Sequence, residues 1–288
     1  MTSYLDPTKK HDAILLFDCI DGNPNGDPDA GNQPRIDPET RQGITTDACL
    51  KRKIRDYISI RGKDTNQPER YKLFVEKGAV LNDKIAQGYT SLNYEVSGKD
   101  GSPEQQLKVQ EWLRDNFYDI RMFGAVLSTG YKAGQVMGPM QVSFGRSFDP
   151  ILPLSLTITR VAATDAKEGK DNKTMGHKEV IPYGLYKSHI FYNPHLAGDK
   201  ITNEDLELFW EACIKCWEFD RSASRGVMTC RGLWVFSHES KYGNIPVYKL
   251  FDRLQVKSIQ DYPRTIADYL IELDSSNPTE GVTVTQLA

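Results

Sequence analysis

Apolar residues arrive in two rhythms along the chain, and each change of rhythm marks an element. "AILLFDCI" (13–20) is a continuous apolar run of the kind a strand buried on both faces requires. "TTDACLKRKIRDYISI" (45–60) switches to helical spacing, with Leu50, Ile54, Tyr57 and Ile58 on one stripe and Thr46 or Asp47 as cap. Lys51, Arg52 and Arg55 fall together beside that stripe. Residues 62–120 are richer in charge and weaker in pattern, with a helix expected at 103–118 behind a Gly/Asp/Ser turn at 98–102; they read as an insertion. "DIRMFGAVLSTGYKAGQVMGP" (119–139) joins an apolar core segment to a Gly-rich loop. Strands are then expected at 140–148, 154–162 and 181–192, the last two enclosing the Gly/Lys-rich "ATDAKEGKDNKTMGHKEV", which reads as a hairpin with a long basic tip. The clearest helix is 202–220, opening on Thr202 with Asp205 three residues on and presenting Leu206, Phe209, Trp210, Cys213 and Trp217 on one side. A strand at 226–236 follows, and the weakly patterned tail "SSNPTEGVTVTQLA" is expected to fray. Stripped of insertions, the order is strand, helix, strand, strand, helix, strand, the split βαβ or ferredoxin-like α+β plan. Enzymes, metal carriers and RNA-recognition domains share that plan, so it assigns no function.

Size and composition narrow the class. The 288 residues, 39% hydrophobic, suffice for a sizeable core. The N-terminus "MTSYLDPTKKHD" has no apolar h-region and no apolar run is long enough to span a bilayer, so a cytoplasmic protein without a membrane partner is expected. Five irregularly spaced cysteines suit thiols in a reducing compartment. The net charge of -3 conceals segregation: residues 35–61 carry seven Lys/Arg against four acids and 221–241 four against one, whereas 200–220 carry two against six and 268–288 none against four. Separate basic and acidic faces fit a polyanion on one side and a like copy on another, and they also fit ordinary patchiness.

Candidate chemistry is sparse. In "DCIDGNPNGDPDAGNQPRID" (18–37), Asp21, Asn23, Asn25 and Gly26 match the first half of a calcium loop, but Asn32 stands where the bidentate Glu belongs, Pro28 takes an apolar position, and a strand rather than a helix precedes it. Turn formation is the simpler reading, and no metal or other cofactor is expected. Cys213 and Cys216 form a C-x-x-C in mid-helix, without a second ligand pair, and read as core. The histidines (His11, His177, His189, His195, His238) are scattered; His189 and His238 are the two with positions suited to general acid or base work. Phosphate-loop, dinucleotide and nucleophile-elbow patterns are absent. "RGLWVF" (231–236) opens like an RNA-recognition motif, with its aromatics out of place. Arg35, Lys51, Arg52, Arg55, Arg146, Arg160, Arg221 and Arg225 punctuate the element junctions, and arginine's planar fork suits phosphate.

Six blocks in order, "FDCIDGNPNGDPD", "GITTDACLKRKIRDY", "DIRMFGAVL", "GPMQVSFGRSFDP", "MGHKEVIPYGLY" and "RSASRGVMTCRGLWVFSHES", resemble the backbone subunit of type I CRISPR effector complexes, in the Csd/Csh-type branch of the RAMP superfamily and nearest subtype I-C. The resemblance runs from residue 17 to about 256. It implies an RRM-like palm (1–61, 136–159, 181–288), a helical finger-like insertion (62–135) and a β-hairpin thumb (160–180). It further implies a non-catalytic scaffold that stacks head to tail along a CRISPR RNA and presents it for pairing with a DNA strand, beside an end-capping RAMP subunit, a large subunit and a small subunit of Cascade. Carried over, Lys51, Arg52 and Arg55 would be the main phosphate contacts, with Asn23, Arg35, Gln141 and Arg146 lining the same groove. Met175 and His177 would be wedge and contact at the thumb tip, with Arg160 and Lys178 among the RNA contacts. Arg221 and Arg225 would serve RNA or the joint between copies. Two other readings stay open: a RAMP-type endoribonuclease using Asp21, Asp27 or His189, and a calcium-binding module.

Overall fold

The computed structural model describes residues 2–95, 101–160, 174–274 and 280–288. Its elements are β1 (His11–Gly22), a small ribbon of β2 (Gly26–Asp27) and β3 (Gln33–Pro34), β4 (Gln42–Thr45), α1 (Asp47–Arg61), α2 (Leu81–Ser91), α3 (Pro103–Asn116), α4 (Tyr118–Phe123), a second ribbon of β5 (Gly124–Val126) and β6 (Gln135–Met137), β7 (Met140–Val142), β8 (Gly145–Pro150), β9 (Leu154–Arg160), β10 (Thr174–Tyr192), α5 (Pro194–Ala197), α6 (Asn203–Phe219), β11 (Val227–His238), α7 (Val247–Phe251), β12 (Leu254–Ser258), β13 (Tyr269–Leu273) and β14 (Val282–Gln286). The main sheet runs β14-β11-β1-β10-β8-β4, with β7 and β9 also on β10, and its paired neighbours are antiparallel.

The apolar run at 13–20 is explained by burial on both faces of β1. Ala13, Leu15, Phe17 and Cys19 enter one core with α1 and α6, whereas Ile14 and Leu16 face Trp234, Phe236, Leu250, Leu254 and Val282 in another. Phe17 stacks between Trp217 and Tyr186, with centroids 4.7 and 5.3 Å away. Each fully buried Leu, Ile or Phe contributes roughly 1.5–3 kcal/mol, so the two cores together hold β1 at the centre of the sheet. Thr46 caps α1 by accepting from Cys49 N, and Thr202 and Asp205 form the reciprocal capping box that starts α6.

Residues 71–136 carry a separate core of Phe74, Ile85, Tyr89, Val109, Leu113, Phe117, Ile120, Leu127, Ala133 and Val136. It joins the main body through buried Asp205 of α6, which receives Arg121 at 3.1 and 3.3 Å and also Arg70. Helix α3 matches the expected 103–118 span to within its last turn, and Ser102 caps it with a box closed by Gln105.

Several expectations change. The single strand at 140–148 is two strands, because Ser143 interrupts it: Ser143 N donates to His189 O at 2.8 Å and Ser143 Oγ accepts from His189 N at 2.8 Å. The tail does not fray at 282–286, since Val282 and Val284 alternate inward and β14 pairs with β11. β12 and β13 form a hairpin absent from the sequence reading, although Leu254, Val256, Ile271 and Leu273 alternate as a strand face should. The β9–β10 hairpin begins at Leu154, earlier than residue 160, and pairs Arg160 with Thr174; its expected tip at 161–173 lies outside the described residues.

Candidate nucleic-acid interface

The opening loop, the start of α1 and the loop after α6 are stitched into one surface. Asn25 Oδ1 accepts from Thr46 N and from Thr46 Oγ1, both at 2.9 Å, which clamps the loop to the helix cap. Asn23 N donates to Ser224 O at 2.8 Å, and Arg225 Nη1 donates to Asn23 O and Pro24 O at 3.2 and 3.3 Å. The approach is so close that a Cβ on Gly22 would sit 2.0 Å from Arg225 O, and Gly226 takes φ +64°. Glycine is the residue that permits both.

Charge converges at the centre of this surface. Asp220, at the end of α6, receives Lys53 Nζ, Arg52 Nη2 at 3.0 Å and Arg225 Nε at 3.6 Å. Burial pushes the Asp220 carboxyl up, but Lys53 and Arg52 outweigh it and hold the group below the usual carboxylate range. Lys53 is only 1% exposed and lies over the Trp217 ring, so it is spent on the core. Arg52 is 40% exposed and shares its guanidinium with the exposed carboxylate of Asp56. Such a surface pair is worth at most about 1 kcal/mol, so a phosphate can displace Asp56 from Arg52 at little cost. Lys53 and Asp220 were missed in the sequence, yet a lysine three residues after Leu50 on an apolar stripe signals a buried partner.

The remaining predicted contacts do not all join this surface. Arg55 is bound to Asp119 at 2.8 Å, and Asp119 also accepts from Phe74 N and Val75 N at 2.7 and 3.0 Å. Arg55 therefore ties α1 to the 71–75 segment, and with Lys51 it flanks the Phe123 ring. Lys51 pairs with Asp47 at 3.2 Å. Asn23 is 2% exposed, with Nδ2 donating to Asn32 O, so its side chain shapes the loop from within and is no surface contact. Arg35 stays near α1, its N donating to Asn25 O at 3.1 Å and its guanidinium meeting Asp27 at 3.3 Å. Gln141 and Arg146 do not line the same groove as α1. Met140 and Val142 face the core of α1 and α6, so alternation turns Gln141 to the other face; Arg146 stands opposite Lys187, whose ammonium lies over Phe148 on that face, and pairs with Asp37. Arg221 is exposed and pairs with Glu218 at 2.5 Å.

On the hairpin, Met175 and His177 stand opposite Thr159 and Thr157, whereas Lys178 stands opposite Leu156. Cross-strand partners share a face, so Met175 (73% exposed) and His177 lie on one side and Lys178 on the other, with Leu154, Leu156 and Ile158. All three belong to the stem, not to the tip.

The other candidates are engaged within the protein or buried in it. Among the described residues no three His, Cys, Asp or Glu converge as a metal site, and the Asn23 and Asn25 side chains of the would-be calcium loop are bound to the protein itself. Cys213 and Cys216 are buried in the main core. Trp234 and Phe236 of "RGLWVF" are buried beneath α7 and the β12–β13 hairpin, and Arg231 pairs with buried Asp18 at 2.7 Å. His238 donates through Nε2 to Asp12 and accepts from Asn244 N, and His189 stacks on Phe251 at 4.3 Å. Burial holds the imidazoles of His11 and His189 down at about 4, from an ordinary 6.5. A histidine depressed in the folded state leaves the unfolded chain as the better proton binder, so the stability these two groups contribute is complete above pH 6.5 and falls as pH drops towards 4. His189→Phe keeps the stack and removes one of the two protonations; its urea midpoint is expected to fall less steeply than wild type between those pH values, and an unchanged slope would refute the assignment.

The pattern of the family CRISPR-associated protein Cas7 matches residues 9–274. A curated relative, CRISPR-associated protein Cas7 of Haloferax volcanii, is 34% identical over 122 residues, covering 41% of this chain and 32% of that protein, so the match spans about a third of the relative's length. In fold, the chain is similar to one in a solved CRISPR RNA-guided surveillance complex, pre-nicking, with TM-score 0.53, 11% identity, 84% of this chain and 81% of that chain covered. A second CRISPR RNA-guided surveillance complex chain gives TM-score 0.48 at 12% identity, over 84% of this chain and 74% of that one. With the family pattern spanning almost the whole described core, the mixed α/β chain built on a large antiparallel sheet belongs to the Cas7 family of CRISPR-associated proteins.

Proposed function

We propose that the chain is a non-catalytic, CRISPR RNA-binding backbone subunit that stacks head to tail along the guide in a cytoplasmic Cascade complex of the type I-C kind and presents the guide for pairing with target DNA. The observation that carries this reading is the joined surface on which Arg52 and Arg225 lie beside Lys53 and Asp220. A backbone reader needs cations at fixed spacing on a rigid support, and here two loops and a helix cap supply the support.

The architecture supports the same reading. In chain order the strands β1, β7/β8, β10 and β11 take the spatial order β11-β1-β10-β7/β8, with α1 and α6 packed on one face, an order that supports a ferredoxin-like, RRM-like palm. The separate core within 71–136 suits the finger, and the β9–β10 stem suits the thumb. Partners on this reading are the guide, further copies of the chain, and the end-capping, large and small subunits. The alternative, a RAMP-type endoribonuclease using Asp21, Asp27 or His189, would have these groups act separately, since His189 stands opposite Ile14 on β1 and Asp21 lies seven residues further along, roughly 23 Å at the rise of a strand; RNA cleavage in the test below would favour it. Asp27 is paired with Arg35.

The test is assembly as a function of RNA length. Purified chain mixed with guide RNAs of increasing length is expected to gain mass by light scattering in steps of one protomer, without cleaving the RNA. A mass fixed at one protomer whatever the length would rule out the stacked scaffold.

A further inference from the structure

We propose that a cleft on the sheet face away from α1 and α6 binds one amino-bearing nucleobase of a single-stranded nucleic acid. Four residues stand side by side across the sheet there: Phe236 of β11, Asp12 of β1, Phe191 of β10 and Gln141 of β7. Phe236 is covered by α7, and above the other three lies a cleft of about 550 Å³, lined by Asp12, Phe191 and Gln141 and rimmed by Lys10, His195 and Tyr242. A volume of this order suits one nucleotide.

Asp12 supplies the reason for a ligand. It is 1% exposed, and its Oδ2 is occupied by Lys10 Nζ and by His238 Nε2 at 2.9 Å. Its Oδ1 is also buried and has no hydrogen-bond partner among the described residues. The His238 ring cannot turn to serve it, because Nδ1 accepts from Asn244 N at 2.9 Å. A buried carboxylate oxygen left in this way calls for a donor. Adenine, cytosine and guanine each offer an amino group, whereas the single ring N–H of uracil is flanked by two carbonyl oxygens that a carboxylate repels.

The rim fits the rest of a nucleotide. Tyr242 is 77% exposed, with its ring 4.9 Å from that of His195, a surface on which a base face can stack. Lys241 lies over the Tyr242 ring, so Lys10 and Lys241 set two positive charges against the one of Asp12. That balance attracts a phosphate and opposes the guanidinium of a neighbouring protein chain. The cleft is separate from the α1 surface: Asp12 precedes Gly22 by ten residues of β1, roughly 33 Å at the rise of a strand.

The test is titration of the full chain with AMP, CMP, GMP, UMP and dAMP, followed by ligand-observed NMR. Binding of the amino-bearing nucleotides at least tenfold tighter than UMP is expected, with Tyr242→Ala or Lys241→Glu weakening it at least tenfold and Asp12→Asn erasing the preference. Both exposed variants keep the test valid if Asp12→Asn fails to fold. Equal affinity for AMP and dAMP assigns the site to RNA or DNA alike, and a preference for AMP assigns it to RNA; either supports the proposal. The preference for amino-bearing bases over UMP is expected to survive Arg52→Gln, because a guanidinium that meets phosphate carries no base preference, and this separates the site from the α1 surface. Equal binding of UMP, no binding at all, or insensitivity to Tyr242→Ala overturns the proposal. So does a Tyr242→Ala variant that changes the mass of the protein in solution but not its nucleotide affinity, since that assigns the cleft to a neighbouring chain.

Discussion

Replacing Arg52 and Arg225 together by Gln is expected to lower guide-RNA affinity by roughly 10- to 100-fold near physiological salt and to reduce the salt dependence of binding. Each phosphate contact on a single strand contributes about 0.7 to the log–log slope, so losing two should flatten it by about 1.4. Arg52 is the better single probe, because its guanidinium is the exposed one and its bond to Asp56 is a surface pair. Arg225 also holds Asn23 O and Pro24 O, so its loss loosens the loop as well. Lys53 must stay, since it is the buried partner of Asp220. Arg52→Gln alone should flatten the slope by about 0.7 while leaving the thermal midpoint close to wild type. Binding measured from low to high salt decides the matter: a double variant with the wild-type slope would remove this surface from the guide path.

Asp205→Ala is expected to be strongly destabilising, by about 3–5 kcal/mol. Asp205 is fully buried and receives Arg121, itself 1% exposed, as well as Arg70 and the Thr202 main-chain N–H at 3.1 Å. Truncation leaves the Arg121 charge buried without its counter-ion and removes the side-chain half of the capping box, the bond from Thr202 N. It also releases the tie between α6 and the 71–136 core. Urea unfolding gives the number, and Asp205→Ala with Arg121→Met should recover part of the loss because the uncompensated charge is gone. A loss below about 1 kcal/mol for Asp205→Ala would mean that the arginines find water instead, contrary to their burial.

Periodicity made the local elements legible wherever one face meets a core. The stripe of α1 was read as Leu50, Ile54, Tyr57 and Ile58, and all four are buried. The capping box at Thr202 placed the start of α6 correctly. The sequence reading failed where strands were short and their partners distant. β12, β13 and β14 carry two or three alternating apolar residues each, too few to stand out until β11 and α7 give them a surface to cover. The interruption at Ser143 is set by hydrogen bonds to His189 on β10, which no local pattern encodes.

The candidate site divides in the same way. Family membership was present in six ordered blocks, and the basic character of α1 in its composition. Which cations are available was decided only by the tertiary structure. Lys53 meets Asp220 across 167 residues and Arg55 meets Asp119 across 64, so two charges of the same helix are consumed by partners far away in sequence. Arg146 and Gln141 were assigned to the α1 groove, yet strand register turns both to the opposite face. The physical reason is common to all of these. Helical and strand periodicity are local properties that a sequence carries directly, whereas ion pairing and register depend on which surfaces meet, and folding alone brings those surfaces together.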